Sequence, residues 1–194
     1  MLYLNQRDYR HIPYYHDTEH GGAPENRRNI ATSGCGLCCV CMMVEHLTGE
    51  ILELTDCVRM TEESGANCCA GSSMRILGPV VAERYGLTFR RTGDAAEMVA
   101  HLQAGGEVII NVRKKTDGTP GIFTAGGHYM LLTGTDGKTV TVMDPNYVKN
   151  KYKAQEEAGL IRVEEPFLYC DMNALVEEAR AEEPYYLFQK ASAG

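Results

Sequence analysis

The sequence predicts an α+β fold in which a helical half is followed by a half of antiparallel strands. Capped, apolar segments with glycine stops fill the first half, whereas β-branched runs bounded by turn residues fill the second. Helices and strands that are segregated along a chain in this way are typical of α+β proteins. We expect a single domain over residues 1–194, with a mainly helical lobe and an N-terminal arm at about 1–106 and a mainly antiparallel β lobe at about 107–194.

The most distinctive helix of the first half should run over about 35–48. Thr32 and Ser33 are favourable N-cap residues, and Gly49 is of the type that ends helices in the left-handed conformation. Apolar residues cover almost every face of this segment up to Glu45. Since a helix that is apolar all round is normally buried, we expect it in the middle of the domain.

The remaining elements are predicted from turn and cap residues. Residues 1–31, interrupted by Pro13 and Pro24, should form an irregular arm that lies along the domain. A short helix is predicted within 50–71, and another over 173–181. A third should run from Ser72 to about Tyr85, where Gly78-Pro79 should bend or interrupt it. A fourth should be opened by Asp94, with Glu97 as its capping-box partner, and ended by Gly105-Gly106. The predicted strands are 108–112, 128–134, 138–143, 160–164 and 185–189, with a hairpin turn at Asp136-Gly137.

The composition of the chain argues against several classes of function. A formal net charge of −7 argues against a nucleic-acid or anionic-membrane partner, and no stretch is apolar for long enough to span a bilayer. The first eight residues are too polar for a signal peptide, so we expect a cytoplasmic protein, or an exported one if the natural chain begins earlier. The eight cysteines should then be mostly reduced thiols, because their crowding at Cys38, Cys39 and Cys41 and at Cys68-Cys69 suits no disulfide framework.

Cys35 is the candidate nucleophile because it lies at the start of the predicted buried helix. The unpaired N–H groups and the dipole at a helix N-terminus favour a negative charge, and the thiolate is the reactive form of cysteine. The alternative is that Cys35 is a small packing residue, which is the commoner role of a free cysteine.

A cysteine nucleophile needs a base and a group that orients the base. His128 is the best candidate base, since it follows Gly126-Gly127 and begins an apolar strand. Pairing about the Asp136-Gly137 turn places His128 roughly level with Pro145, so either Asp144 or Asn146 could reach the imidazole. Asp144 is the better choice because a carboxylate both fixes the tautomer and stabilises an imidazolium. The alternatives are a His128 that merely caps its strand and an Asp-Pro-Asn that is merely a turn, although a turn is compatible with the catalytic interpretation.

These stretches resemble the C39-like peptidases of the papain-like superfamily. The resemblance covers about residues 5–146: 30–36 and the helix after them resemble the nucleophile segment, 126–134 the histidine strand, and 140–145 the orienting Asp-Pro segment. It implies a two-lobed papain-like fold with a cleft between a helical lobe that carries the cysteine and a β lobe that carries the histidine. It also implies an oxyanion-stabilising glutamine near the N-terminus, which Gln6 matches in context, with Asn29 as an alternative donor. The chain departs from the family in Leu37-Cys38-Cys39, where small residues or proline often follow the Cys-Gly pair.

The resemblance implies a cysteine peptidase that cleaves a peptide or amide bond through a thioacyl intermediate. Cys35 would be the nucleophile, His128 the general base and acid, Asp144 the orienting group and Gln6 the oxyanion donor; the substrate would be a peptide or protein, and no cofactor or metal is expected. The same residues would also serve an acyltransferase or ligase, and the sequence leaves the oligomeric state open. A thiolate metal-binding protein is the alternative of a different class, although helical spacing spreads Cys38, Cys39 and Cys41 around their axis. Cys68-Cys69 should border the cleft as a packed loop, with a redox or metal role as the alternative, and Tyr129 should be a core residue.

Overall fold

A computed structural model describes residues 1–14, 28–68 and 71–191 of the chain. A 3-10 helix, Gln6–Tyr9, lies near the N-terminus. The helices are α1 (Ile30–Ser33), α2 (Cys35–Thr48), α3 (Leu54–Glu63), α4 (Met74–Tyr85), α5 (Ala95–Gln103), α6 (Lys153–Glu157) and α7 (Met172–Glu178). The strands are β1 (Leu87–Thr92), β2 (Glu107–Arg113), β3 (Gly127–Thr135), β4 (Thr139–Met143), β5 (Ile161–Glu164), β6 (Phe167–Asp171) and β7 (Tyr185–Lys190). No helix of the described residues is both long enough and apolar enough to cross a membrane.

One sheet of seven strands organises the described part of the chain. Its order is β1-β7-β2-β3-β4-β6-β5, and each neighbouring pair is antiparallel. Helix α2 packs on one face of the sheet together with α3 and α4, and α5 and α7 contribute to a second apolar cluster on the other face. The α+β prediction is therefore confirmed, and β1, which lies within the predicted helical part, belongs to the same sheet as the strands of the second half.

Helix α2 is the buried helix that the sequence predicts, with the predicted bounds but a different N-cap residue. Every residue from Gly36 to Val44 is buried, and Gly49 ends the helix at φ 78° with its N–H donating to the Glu45 carbonyl. Thr32 and Ser33 do not cap it, because they belong to α1; the N-cap is Gly34. A Cβ atom at residue 34 would lie 2.6 Å from Cγ2 of Ile30, so only glycine fits the junction between the two helices.

Helix α4 runs through Gly78-Pro79, so of the two predicted outcomes, a bend or an interruption, the interruption does not occur. The proline costs one interior hydrogen bond, but Met74, Leu77 and Val81 are buried on the inner face and hold the helix in place. Gly78 is required there for packing: a Cβ atom would lie 2.3 Å from the Phe89 ring of β1.

Five elements were not predicted, namely the 3-10 helix, α1, β1, α6 and β6. Strand β1 pairs only with β7 and carries two arginines, a composition that protects the edge of a sheet but weakens the apolar pattern from which a strand is recognised. Its Arg90 also forms an ion pair with Glu97. The expected capping box therefore does not form: Asp94 caps α5 through Ala96 N–H, while its own N–H donates to Thr92 Oγ1.

The N-terminal residues 1–14 lie against the domain, as expected for an arm, but they contain the 3-10 helix and a β-bridge. Pro13 bridges to Asn29, Tyr14 N–H donates to the Arg28 carbonyl, and Ile30 N–H donates to the Ile12 carbonyl. Residues 12–14 therefore run antiparallel to 28–30. The predicted irregular arm also includes residues 15–27, which lie outside the described residues.

Candidate active site

Cys35 is the first residue of α2, directly after the Gly34 junction. Cys35 is partly exposed, whereas Cys38, Cys39 and Cys41 on the same helix are fully buried. Among the cysteines of α2, the one at the helix N-terminus is therefore the one that a substrate could reach. Six of the seven cysteines of the described residues are free thiols, namely Cys35, Cys38, Cys39, Cys41, Cys57 and Cys170.

The sulfur of Cys35 is surrounded by groups that favour its thiolate form. Burial raises the pKa of Cys35, but the hydrogen bond and charge of His128, with the backbone N–H groups of Tyr129 and Gly36, lower it by more. The net effect is a pKa below the ordinary thiol value. By contrast, burial and the neighbouring thiols raise the pKa of Cys38 and Cys39 well above that value, so these two remain protonated.

His128, the second residue of β3, lies between Cys35 and Asp144. Its Nε2 atom donates to Oδ1 of Asp144 over 2.7 Å, which leaves Nδ1 for the sulfur. Burial lowers the pKa of the ring, but the hydrogen bonds and charges of Asp144 and Cys35 outweigh burial and raise the pKa of His128 to about 9. The geometry therefore favours an imidazolium between two anions.

Asp144 follows the last residue of β4 and is almost fully buried. Its Oδ1 accepts from His128 and from Asn146 N–H at 2.8 Å, and its Oδ2 accepts from Lys151 Nζ at 2.7 Å and from the Tyr152 hydroxyl at 2.6 Å. Burial raises the pKa of this carboxyl, but His128 and Lys151 outweigh burial and hold the pKa well below its usual range. Asp144 is therefore a buried partner of the imidazole that is ionised at neutral pH.

The hairpin brings His128 and Asp144 together with a register slightly different from the predicted one. Leu131 pairs with Met143 and Thr135 with Val140, with a bulge between Leu132 and Gly134, so the partners of β3 lie one or two residues further along β4 than expected. Of the two candidates, Asp144 and Asn146, it is the carboxylate of Asp144 that lies within hydrogen-bond distance of the imidazole. Asn146 contributes its backbone N–H to that carboxylate, which forms the turn that Asp-Pro-Asn predicts.

Gln6 lies between the segment that carries Asp144 and the segment that precedes Cys35. Its backbone N–H donates to the Pro145 carbonyl at 2.7 Å, and its Nε2 donates to the Ala31 carbonyl at 2.9 Å. The side chain is buried, and its Oε1 has no hydrogen-bond partner among the described residues. Asn29, the alternative donor, is the N-cap residue of α1.

Three residues that sequence reasoning missed hold Asp144 in place: Tyr3, Lys151 and Tyr152. The Tyr3 hydroxyl donates to the Asp144 carbonyl at 2.8 Å, while Lys151 and Tyr152 bind its carboxylate. Nothing in the local pattern of Asn150-Lys151-Tyr152 distinguishes these side chains from those of an ordinary surface turn. Tyr152 is nevertheless fully buried, and a buried tyrosine usually finds a partner for its hydroxyl.

A cavity of about 390 Å³ is lined by Tyr129, the residue after His128, and by side chains that surround Gly36, the residue after Cys35. Tyr129 and Ser72 line it, and both also lie against Gly36, where a Cβ atom would be 3.2 Å from Cδ2 of Tyr129 and 3.6 Å from Cβ of Ser72. Tyr129, predicted as a core residue, packs against the core and also forms a wall of this cavity. Cys68 borders it as expected of its loop, whereas Cys69 lies outside the described residues.

The described residues give no support to a thiolate metal site. No group of three or more His, Cys, Asp or Glu side chains among them is arranged to hold a metal ion. Buried thiols of α2 and α3 instead make core contacts: Sγ of Cys57, on α3, lies 3.9 Å from the Leu37 carbonyl, and Cys41, on α2, shares a hydrogen bond with Cys57.

Comparison with known proteins gives a consistent assignment. The sequence model of the Peptidase_C39 like family matches residues 9–165. The crystal structure of a candidate C39-like peptidase from Bacillus anthracis superimposes with a TM-score of 0.59 at 12% identity, covering 99% of this chain and 96% of the other. At that identity the likeness establishes the fold alone. No protein of curated function matches the sequence.

Proposed function

The chain belongs to the Peptidase_C39 like family, and from that premise we propose that it is a cysteine peptidase that hydrolyses a peptide or amide bond through a thioacyl intermediate. The observation that carries the proposal is the continuous line from the Cys35 sulfur through the His128 ring to the Asp144 carboxylate. A nucleophile, a base and an orienting group in hydrogen-bond contact are what covalent acyl transfer requires.

In the first step, the Cys35 thiolate attacks the carbonyl carbon of the scissile bond. The C–S bond forms as the carbonyl π electrons move to oxygen. The imidazolium of His128 then gives its proton to the leaving nitrogen, the C–N bond breaks, and the amine product departs from a thioester on Cys35. His128, now neutral, takes a proton from water; the hydroxide adds to the thioester, and collapse releases the acid and regenerates the thiolate and imidazolium pair.

The oxyanion needs donors that point at the place where charge develops. Gln6 suits this role because Nε2 carries two hydrogens, and the Ala31 carbonyl takes only one. The backbone N–H of Cys35 is a second donor, since the first N–H groups of a helix lack intrahelical acceptors. Gln6 is also tied through its own N–H to Pro145, so the segments that carry the nucleophile and the aspartate hold this donor between them.

Asp144 acts through His128 and not on the substrate. Its carboxylate fixes which ring nitrogen faces the sulfur, and its charge stabilises the imidazolium that forms the active pair. Lys151, Tyr152 and Tyr3 are positioning residues, since each of them contacts Asp144.

Incubation with a peptide library, followed by mass spectrometry of the products, tests this proposal. Hydrolysis in ¹⁸O-labelled water should place one heavy oxygen in each new C-terminus, whereas transfer to an added amine would give an amide without the label. The Cys35→Ala variant should give no products, and Cys38→Ala, which removes a buried thiol one turn further along α2, should retain the activity. Products that persist in Cys35→Ala would contradict the assignment, and products that form only with an amine acceptor would replace hydrolysis by acyl transfer.

A further inference from the structure

Asn111 supplies a side-chain amide to the cavity that Tyr129 and Ser72 line. Asn111 lies on β2, and its backbone N–H donates to the Pro184 carbonyl. The residue is only 8% exposed and it lines the cavity, and its side-chain amide forms no hydrogen bond with any described residue. The amide is not among the polar groups that are fully sealed from solvent, so it is open to the cavity and available to a polar group that enters there.

The strand period explains why Asn111 faces the cavity. Ile109, two residues earlier, packs in the core cluster on the side of α2, and alternate residues of a strand share one face. Arg113 is on that face as well, at the end of β2, and it also lines the cavity. Asn111 therefore lines the cavity between the apolar residue Ile109 and the charged residue Arg113 on the same face of β2.

The side chains that line this cavity include arginines whose positive charges are not all paired with carboxylates. Arg91 forms an ion pair with Glu183, whereas Arg75 and Arg113 are exposed and have no carboxylate partner among the described residues. Glu182 is the remaining carboxylate of the lining, so the two unpaired guanidinium groups outnumber it. Arginine binds carboxylates with paired hydrogen bonds, and the amide of Asn111 can donate to the same group.

We propose that this cavity is a subsite that selects a substrate with an aspartate or glutamate side chain near the scissile bond. The inference rests on the proposed function and deepens it by naming the substrate class. The location supports it, because Tyr129 follows His128 in the chain and supplies an N–H to the Cys35 sulfur, so a side chain in the cavity lies close to a peptide held at the nucleophile.

The test uses peptidyl acyloxymethyl ketones that are identical except for one residue, which is Glu, Gln, Leu or Lys at each position next to the reactive carbonyl. The rate of Cys35 labelling is followed by intact-protein mass spectrometry. At one position Glu should react roughly tenfold or more faster than Gln, as expected for a charge-assisted hydrogen bond. The double variant Arg75→Gln, Arg113→Gln should abolish this preference, Asn111→Leu should reduce it, and Glu182→Gln should increase it.

The matched control is Arg84→Gln, because Arg84 is an exposed arginine of the same helix as Arg75 but lies away from the cavity. It should leave the preference for Glu unchanged. Equal rates for Glu and Gln at every position, or a preference that survives the double variant, would overturn the inference alone. Failure of every probe to label Cys35 would overturn the proposed function and the inference with it.

Discussion

Nε2 of His128 lies 2.7 Å from Oδ1 of Asp144, a carboxylate whose other oxygen is held by Lys151 and Tyr152. The hydrogen bond orients the imidazole so that its other nitrogen is left for Cys35. Asp144 is fixed by four donors, whereas the Cys35 end of the line is partly exposed. The orienting end is therefore rigid, and the reacting end is accessible.

This relationship predicts that Cys35 forms a thiolate at a lower pH than an ordinary cysteine does. The pKa of Cys35 is lowered and that of His128 is raised to about 9, so the thiolate and the imidazolium coexist between these two values. Alkylation of Cys35 by iodoacetamide, measured from pH 4 to 10, should show an apparent thiol pKa below the usual value of about 8.5. In His128→Ala the apparent pKa should rise to that value or above, because burial of the sulfur then acts without an opposing charge.

The exposed His11 provides the control for this titration, since its replacement by alanine removes a histidine that does not contact the sulfur. Identical alkylation profiles for the unmodified protein and His128→Ala would contradict the pairing of the two residues.

Replacement of Asp144 by asparagine should reduce kcat/KM far more than it alters folding. The neutral amide cannot stabilise an imidazolium, so the rate should fall by about 10²–10⁴-fold, the range typical of general acid–base assistance. The variant is assayed with a peptide substrate, and its fold is checked by circular dichroism. Asp56→Asn, which removes an exposed carboxylate on α3, should be unaffected. A comparable rate for both variants would exclude Asp144 as the orienting group.

Tyr152→Phe should reduce stability in a pH-dependent manner. Its hydroxyl donates to a buried carboxylate, so the free energy of unfolding at pH 7 should fall by about 1–3 kcal/mol. Asp144 has a depressed native pKa, so its contribution is complete above the unfolded value of about 3.9 and is lost as the pH falls towards the native value. Because Tyr152→Phe raises the native pKa, this loss should begin at a higher pH in the variant.

Urea unfolding between pH 7 and pH 3 measures both effects. Tyr169→Phe is the control, because Tyr169 is a half-buried tyrosine that contacts Arg162 through its ring and not Asp144 through its hydroxyl. If the two phenylalanine variants had the same stability at every pH, the hydroxyl of Tyr152 would have no role in holding Asp144.

Gly34→Ala should displace the nucleophile. A Cβ atom at this residue would lie 2.6 Å from Cγ2 and 2.7 Å from the carbonyl oxygen of Ile30, so the start of α2 must shift. We expect a loss of about 1–3 kcal/mol in the free energy of unfolding, as for other overpacked sites, together with slower labelling of Cys35. Gly126→Ala, next to the histidine strand, has no atom within 4 Å of the added carbon and should change neither quantity. Equal labelling rates for both variants would show that the junction does not position Cys35.

The parts of this fold that could be predicted from sequence are those that depend on local chemistry. Gly49 predicts the end of α2 because left-handed backbone favours glycine, and Asp136-Gly137 predicts the hairpin because Gly137 adopts φ 89°. The predicted start of α2 at residue 35 is confirmed, but the predicted cap was wrong because an N-cap preference cannot separate α2 from the one-turn helix before it. Whether Thr32 and Ser33 cap α2 or end α1 depends on the fit of Gly34 against Ile30.

The candidate site was less predictable where it depends on distant partners. Tyr3 and Asp144 are far apart in the sequence, and no local sequence pattern predicts the hydrogen bond between them. Asn111 is different, because a single amide within the apolar run Val108–Val112 is visible in the sequence and indicates a polar position on a buried strand. The cavity charges contributed by α4 and by the residues before β7 could not be anticipated, since they depend on how those elements meet the sheet.

The most direct test of the central claim is the site of labelling by a peptidyl acyloxymethyl ketone, mapped by peptide mass spectrometry in the presence of all eight cysteines. The account predicts one modification, on Cys35, that is absent from Cys35→Ala and retained in Cys38→Ala. Modification of another cysteine in the unmodified protein, or equal labelling of the two variants, would contradict it.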